Sequence, residues 1–346
     1  MSTSPSILDL SLGELTEAMD RWGQPAYRAR QIWSHVYQRL VDDPNEMTDL
    51  PIPLRSKLGE EFSWRNLTPS KQLQSIDGET TKYLLDLQDG AAIETVLMRY
   101  DRRRTACIST QVGCAMGCVF CATGQMGYGR NLTQAEITGQ VLFAARTLQA
   151  EGVSLTNVVF MGMGEPLHNF EATMAAIDRL HDPEGFNFGA RRFTISTVGL
   201  IPGIYRLASE ERQVNLAVSL HAATDELRSS MLPINQKYPL DPLMQACADF
   251  VERTGRRITF EWALVEGVND TPEQAQQLAR RAVGLNPHIN LIPLNPTREY
   301  AGQASSDLNV ERFRSLLEAE GLSVTVRLRR GIDIQAGCGQ LATEQS

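Results

Sequence analysis

Four of the six cysteines lie between Cys107 and Cys121, and three of these are spaced for metal chemistry. They read Cys114-Ala115-Met116-Gly117-Cys118-Val119-Phe120-Cys121, a C-x3-C-x2-C pattern. Thiolates bind iron strongly, and spacers this short let three sulfurs reach three corners of one iron–sulfur cubane. Three ligands leave the fourth iron open to a cofactor that chelates through an amino and a carboxylate group. The simpler alternatives are a structural zinc site and unpaired core cysteines. Structural zinc calls for four closed ligands, commonly two C-x2-C pairs, and the sequence has no second pair. Cys338 is set differently, near the C-terminus in Ala336-Gly337-Cys338-Gly339-Gln340, where flanking glycines predict a mobile, exposed loop. Cys247 falls on the apolar face of a predicted helix, as a packing cysteine would.

Such a loop needs a frame. From residue 106 onward strands alternate with helices. Strands are predicted at 106–112, 156–161, 192–198, 214–220, 257–264, 288–294 and 323–328, and helices near 134–150, 170–181, 200–209, 241–254, 272–283 and 309–320. Thr133 with Glu136 makes a capping box, Pro272 suits a first helical turn, and Gly321 follows a helix end. This alternation implies a parallel sheet, open or curled into a barrel. The polar residues favour the barrel. The cysteine loop follows the first strand, Gly164-Glu165-Pro166 the second, Ser196 closes the third, Ser219-Leu220-His221 ends the fourth, and Asn295 follows the sixth. Gathering polar groups from many strand ends is the habit of (β/α) barrels, whereas an open sheet concentrates its site at one switch point.

Residues 1–70 predict a small helical domain. Ser11 and Glu14 fit a capping box, the helix should stop before Gly23, and Pro25 can open a second helix carrying Trp33, Val36, Tyr37 and Leu40. Arg21 to Arg39 holds four arginines and no acid, interleaved with Trp22, Tyr27, Trp33 and Tyr37. That mix suits RNA contact and base stacking, and equally a small bundle with surface arginines. From about Lys71 to residue 105 the pattern is strand-like. Asp77-Gly78 and Asp89-Gly90 are hairpin pairs around Tyr83–Leu87 and before Ile93–Met98, predicting a short antiparallel extension. The barrel would then occupy 106–341, with Ala342–Ser346 frayed.

Hydrophobic residues make up 42% and charged residues 21% of the 346, an ordinary balance for a packed domain. No apolar run approaches the ~20 residues that span a bilayer, and MSTSPSILDLSLGEL lacks a basic-then-apolar leader. With the cysteines clustered rather than spread, a cytoplasmic protein without disulfide scaffolding is expected. The net charge of −8 does not advertise nucleic-acid binding. Phosphate contact depends on local density, however, and Arg102–Arg104, Arg191–Arg192, Arg256–Arg257 and Arg327, Arg329 and Arg330 are locally dense.

The cysteine spacing, with Phe120 just before the third cysteine, resembles the radical S-adenosylmethionine (SAM) superfamily. The longer run from Cys107-Ile-Ser-Thr-Gln-Val-Gly-Cys114 through Ala122-Thr-Gly and Arg130-Asn-Leu resembles the RlmN/Cfr family of RNA adenine methyltransferases, and RlmN most. The likeness recurs in order at Met161-Gly-Met-Gly-Glu-Pro166, Ser196-Thr-Val-Gly199, Ser219-Leu-His221, Asn295-Pro296 and Gly331–Leu341, and so spans about residues 90 to 341.

This resemblance implies an α/β fold with a partial (β/α)6 barrel, a [4Fe–4S] cluster on Cys114, Cys118 and Cys121, and SAM as cofactor. It implies SAM contacts from Gly164, Glu165, Ser196, Ser219, Leu220, His221 and Asn295, with the Glu165 carboxylate accepting from the SAM amino group. Cys338 would be methylated by one SAM. A radical derived from a second SAM would take a hydrogen from that methyl group, and the resulting carbon radical would add to adenine. Cys107 would then attack the Cys338 sulfur, forming a transient disulfide and releasing the methylated base, with Arg102–Arg104 placed to lower its pKa. Glu94 matches the family's proton acceptor. The implied substrates are 23S rRNA and also tRNA, and the implied electron donor is flavodoxin or ferredoxin. The family tail commonly has two alanines where this chain has Ala336-Gly337, a change expected to loosen the loop. Methylation at C2 of adenine is the leading expectation. Its rivals are methylation at C8, a radical SAM enzyme with a non-RNA substrate, and a metal- or RNA-binding module without activity.

Overall fold

The computed structural model describes residues 4–327 and 329–343. The N-terminal part is a bundle of α1 (Leu12–Arg21), α2 (Tyr27–Tyr37) and α3 (Ile52–Glu61). The Ser11–Glu14 capping box forms in both directions: Glu14 N donates to Ser11 Oγ at 3.1 Å, and Ser11 N donates to Glu14 Oε2 at 2.7 Å. Such a cap contributes about 1 kcal/mol. Trp33 and Tyr37 are buried, and the Arg179 guanidinium covers them, 4.9 Å from the Trp33 ring and 3.0 Å from the Tyr37 hydroxyl. Trp22 packs against Phe62. Only Tyr27, 55% exposed, holds its ring toward solvent. The aromatic set of this segment therefore works mainly as bundle core.

Strand structure starts at Leu67, rather than near Lys71. Strands β1 (Leu67–Gln74), β2 (Thr80–Leu87) and β3 (Ala92–Arg99) form an antiparallel meander, with left-handed Gly78 and Gly90 in its two turns. Antiparallel pairing of β3 with β4 (Arg104–Cys107) joins the meander to the parallel sheet. The predicted strand 106–112 is divided. Its first part is β4. The chain then leaves the sheet, Thr110 N reaching Met163 O at 2.8 Å, and β5 (Gln111–Gly113) pairs in a separate hairpin with β6 (Tyr128–Asn131). That departure lifts the cysteine loop, with its one-turn helix α4 (Ala122–Gln125), above the strand ends.

The remaining units follow the expected alternation. They are α5 (Gln134–Ala150), β7 (Asn157–Phe160), α6 (Phe170–His181), β8 (Phe193–Thr197), α7 (Ile201–Ser209), β9 (Asn215–Ser219), α8 (Asp225–Met231), α9 (Leu240–Thr254), β10 (Thr259–Leu264), α10 (Pro272–Ala282), β11 (His288–Pro293), α11 (Asp307–Ala319) and β12 (Ser323–Val326). Leu328, at the predicted end of the last strand, and residues 344–346, in the predicted fray, lie outside the described residues. The sheet order is β1-β2-β3-β4-β7-β8-β9-β10-β11-β12, and every pair from β4 onward is parallel. Six strand–helix units plus β12 make a partial barrel. Large apolar side chains on its strands, Phe160, Phe193, Phe260 and Trp262, are fully buried. Helices α3 and α8 went unpredicted because α3 carries little apolar periodicity and α8 is a short polar segment, Asp-Glu-Leu-Arg-Ser-Ser-Met. Among the described residues no helix is long and apolar enough to cross a membrane.

Candidate active site

The cysteine loop is held by its backbone. Cys114 N donates to Gly127 O at 2.7 Å, Cys121 N to Cys118 O at 3.1 Å, and Val119 N to Met231 O at 3.1 Å, which ties the loop to the end of α8. All six cysteines are free thiols. Burial pushes the Cys114 thiol up to about 12 and the Cys118 thiol well above its usual range, so neither carries charge without a metal to bind it. Among the described residues no three metal-ligating side chains converge on a single ion.

Beside Cys118 and Cys121 a cavity of about 150 Å³ opens at the C-terminal ends of the parallel strands. Gly164, Glu165, Ser196, Ser219, His221 and Asn295 all line it. Leu220 does not: its side chain is buried, and its carbonyl accepts from Arg228 Nε at 3.1 Å. Cys114 also stays out of the lining. Gly164 is required by contact, because a Cβ there would meet Gln111 backbone and side chain within 2.7 Å at φ +100°. The close approach lets Gln111 Oε1 accept from Glu165 N at 2.8 Å.

The Glu165 carboxylate is fully enclosed, accepting from Leu167 N at 3.0 Å and Val198 N at 2.9 Å. Burial outweighs these bonds and raises its pKa to about 7. His221, at a left-handed φ of 58°, accepts at Nδ1 from Ala263 N at 2.9 Å. Its neutral ring therefore carries its proton on Nε2, and burial drives the pKa down to about 3. Among the described residues, two buried oxygens of the cavity lining, Asn295 Oδ1 and Glu261 Oε2, find no hydrogen-bond donor, Arg327 standing 3.8 Å from the second. A cavity edged by thiols, with a ready carboxylate and two acceptors in need of donors, fits a cofactor bearing an amino group and hydroxyls beside a cluster.

Cys338 lies where this cavity meets a second one, lined by Cys107, Val96, Met98, Tyr100, Arg329 and Arg330 among others. Cys338, Met161, Ile292, Asn295 and Arg327 belong to both walls. Cys338 is exposed, as its glycines suggested, and its loop is tied by hydrogen bonds to distant elements. Asn295 Nδ2 donates to Cys338 O at 3.1 Å, Ala122 N to Gly339 O at 2.7 Å, Thr123 Oγ1 to Leu341 O at 2.5 Å, and Gln340 Nε2 to Pro296 O at 2.9 Å. Gly337 sits beside one of these ties. A Cβ there would come within 2.5 Å of Asn295 Nδ2, so the glycine admits that amide.

Burial raises the thiol pKa of Cys107 to about 12, whereas Cys338 is exposed at the junction of the two cavities. The expected help from Arg102–Arg104 is absent: Arg102 and Arg103 are exposed, and Arg104 turns toward the Tyr100 carbonyl. The cation that opposes the rise is Arg327, 3.8 Å from Cys338 Sγ and 3.8 Å from Glu261 Oε2. Burial works against its charge, but the facing thiol and carboxylate keep it protonated. Glu94 shares a face of β3 with Val96, which pairs with Cys107. It is buried, 2.9 Å from Lys82 Nζ, and accepts from Ala342 N at 3.0 Å. It thus braces the end of the Cys338 loop and is absent from both linings.

Sequence reasoning missed Glu261, Gln111 and Arg228, and noted Arg327 only as part of a charge run. An acid inside the apolar strand Thr-Phe-Glu-Trp-Ala-Leu was the available signal for Glu261.

The chain matches the profile of the Radical SAM superfamily over residues 108–279, and that of the Ribosomal RNA large subunit methyltransferase N-terminal domain over residues 6–63. It is 50% identical to the dual-specificity RNA methyltransferase RlmN 1 of Myxococcus xanthus, covering 98% of this chain and 94% of the relative. The chain belongs to the RlmN family. A probable RlmN of Opitutus terrae is 48% identical over all of this chain and 89% of its own. A solved radical SAM methyltransferase from Sphaerobacter thermophilus superposes with a TM-score of 0.96 at 52% identity, over 98% of this chain and all of the other. As an RlmN-family radical SAM methyltransferase, the chain uses a [4Fe–4S] cluster and SAM.

Proposed function

We propose that this chain methylates C2 of adenine in 23S rRNA and in tRNA, passing the methyl carbon through Cys338. The observation that carries this reading is the position of Cys338 on the shared wall of two cavities, one beside the cluster thiols and the other floored by Cys107. Cys114, Cys118 and Cys121 hold the cluster, which when bound supplies the electron that splits the SAM sulfonium. Glu165 accepts from the SAM amino group, while Ser196, Ser219, His221 and Asn295, with Gly164 and the Leu220 backbone, fix the rest of the molecule. Asn295 also grips the Cys338 carbonyl, so the residue that senses the cofactor also orients the methyl carrier.

In the second cavity, Val96 and Met98 offer apolar walls for a base, and Tyr100 with Arg329 and Arg330 forms its rim. Once the methyl carbon is bonded to the ring, a proton must leave the base; Glu94, bound to Lys82, is the acceptor. Cys107 then attacks the Cys338 sulfur, making the S–S bond while the S–C bond breaks toward the base, whose methylene carbon takes up a proton to become the methyl group; the odd electron left by the radical addition passes to the cluster. Burial of Cys107 keeps it a neutral thiol until that step, and Arg327 stands by to favour the thiolate. Residues 1–70 serve as the RNA-contacting accessory unit, 71–105 as the strand extension that delivers Glu94, and 106–341 as the catalytic barrel. Flavodoxin or ferredoxin supplies the electron.

The deciding experiment is nucleoside analysis of rRNA and tRNA from cells with and without this protein. Loss of 2-methyladenosine in the deletion supports the reading. Loss of 8-methyladenosine instead, or no change in any methylated adenosine, overturns it.

A further inference from the structure

Arg228, on α8, is fully buried, and its guanidinium meets only neutral groups at hydrogen-bond distance. Nε donates to Leu220 O at 3.1 Å, Nη1 to Asn235 Oδ1 at 2.8 Å, and Nη2 to Val198 O at 2.7 Å and Ser219 O at 3.3 Å. Among the described residues no carboxylate pairs with it; Asp225 is one step removed, held by Asn235 Nδ2 at 3.0 Å. Taking a cation out of water costs several kcal/mol unless an opposite charge is near, and four neutral acceptors solvate it without neutralising it. Burial lowers its pKa to about 10 against the opposing pull of Cys118, Asp225 and Cys247. Its surroundings point to the missing charge. Val198 and Ser219, whose carbonyls it holds, line the same cavity as Cys118 and Cys121. The helix that carries it ends at Met231, whose carbonyl binds Val119 between those two cysteines. Met231 and Leu232 pack with Cys118 and Phe120 in one apolar cluster.

We propose that Arg228 is the buried counter-charge of the iron–sulfur cluster and raises its reduction potential. An oxidised cubane of charge two-plus bound by three thiolates has one net negative charge, and uptake of one electron makes it two. A fixed cation nearby stabilises the more negative, reduced state, so it favours the electron's arrival. The proposal rests on Cys114, Cys118 and Cys121 holding the cluster, and is independent of which RNA position is methylated. Arg228 is a positioning residue: it touches neither substrate nor cofactor, and its fork also ties the ends of β8 and β9 together.

The test uses full-length protein reconstituted without air, with iron and sulfide counted and the cluster titrated against electrode potential by electron paramagnetic resonance, in the absence of SAM and RNA. Arg228→Gln should keep its cluster, while its ratio of reduced to oxidised cluster at a fixed potential falls about tenfold, 59 mV for a one-electron couple. Arg228→Lys, which keeps the charge but loses the fork, should stay within about threefold of the parent. A filled Arg228→Gln cluster with an unmoved midpoint overturns the proposal, and so do equal shifts in the two variants, since the fork would then matter rather than the charge. If Arg228→Gln takes up no iron, Arg228→Lys decides: a midpoint near the parent supports the proposal, and a tenfold loss overturns it. Failure of the RNA reading would appear only in the nucleoside analysis and would leave these potentials unchanged.

Discussion

The two cavities that share the Cys338 wall are built by opposite means. The one beside the cluster thiols is made of strand ends, and its polar groups are fixed by backbone: Glu165 by Leu167 and Val198, His221 by Ala263. The other has an apolar floor and a rim of long cationic side chains, Arg329 and Arg330. A wall of backbone-anchored groups suits a small cofactor of constant shape. Apolar walls under a cationic rim suit a base presented by a polyanionic chain. Changes in the first cavity should therefore alter cofactor binding alone, changes at the rim of the second should alter RNA binding alone, and changes at Cys338 should abolish the output of both.

The largest effect is expected at the shared wall. Cys338→Ala should reduce RNA methylation on the order of 10⁴-fold or more, as loss of a covalent carrier does, while leaving the iron content and SAM affinity of the reconstituted protein unchanged. Retained methylation would break the link between the cavities. Cys107→Ala should instead stop the reaction one step later, so that RNA remains covalently attached and appears as a slow band on a denaturing gel. In the unaltered enzyme, release of that adduct should speed up about tenfold per pH unit between pH 7 and 9. The thiol pKa of about 12 lies above the whole range, so the thiolate fraction rises throughout without a plateau. A pH-independent release rate would show that Cys107 is not the attacking group.

A smaller effect is expected in the cofactor cavity. Glu165→Gln should weaken SAM binding by about 10- to 100-fold, the loss of a charged hydrogen bond worth ~1.5–3 kcal/mol. RNA affinity should stay the same. Because burial places the Glu165 pKa at about 7, the group is largely neutral below that pH and charged above it. SAM affinity should rise from pH 6 to pH 8 in the parent and stay flat in the variant, as calorimetry would show. Equal pH dependence in both would remove Glu165 from the cofactor site.

The cofactor cavity was far more legible in the sequence than the cavity of Cys107. Glycine contacts, short thiol spacings and polar residues at strand ends are local patterns, and Gly164, Glu165, Ser196, Ser219, His221 and Asn295 converge because the parallel strands of one sheet all end on the same side. What a side chain meets across the fold leaves no local trace. Trp33 and Tyr37 carry the same stacking chemistry as an RNA platform, yet Arg179, far along the chain, covers them. The ties of the Cys338 loop were illegible for the same reason, since Asn295, Ala122 and Pro296 hold it from distant elements. Glu261 and Arg228 drew no notice in the sequence until their burial was known.

The smallest effect is expected at the rim of the second cavity. Arg330 stacks on Tyr100, its guanidinium carbon 4.6 Å from the ring centroid, with Arg103 at 4.5 Å from the same ring. Arg330 also pairs with Glu79, so part of its charge is already neutralised. Partly buried and already paired, such a cation contributes roughly 1 kcal/mol or less to holding a phosphate. Arg330→Gln should therefore weaken RNA binding no more than about fivefold, lower the slope of log affinity against log salt by about 1, and leave SAM affinity untouched. The salt slope is the sharper reading, because lost packing on Tyr100 would weaken binding without changing it. An unchanged slope with weaker RNA binding would mean that Arg330 shapes the rim through Tyr100 and leaves phosphate contact to Arg329.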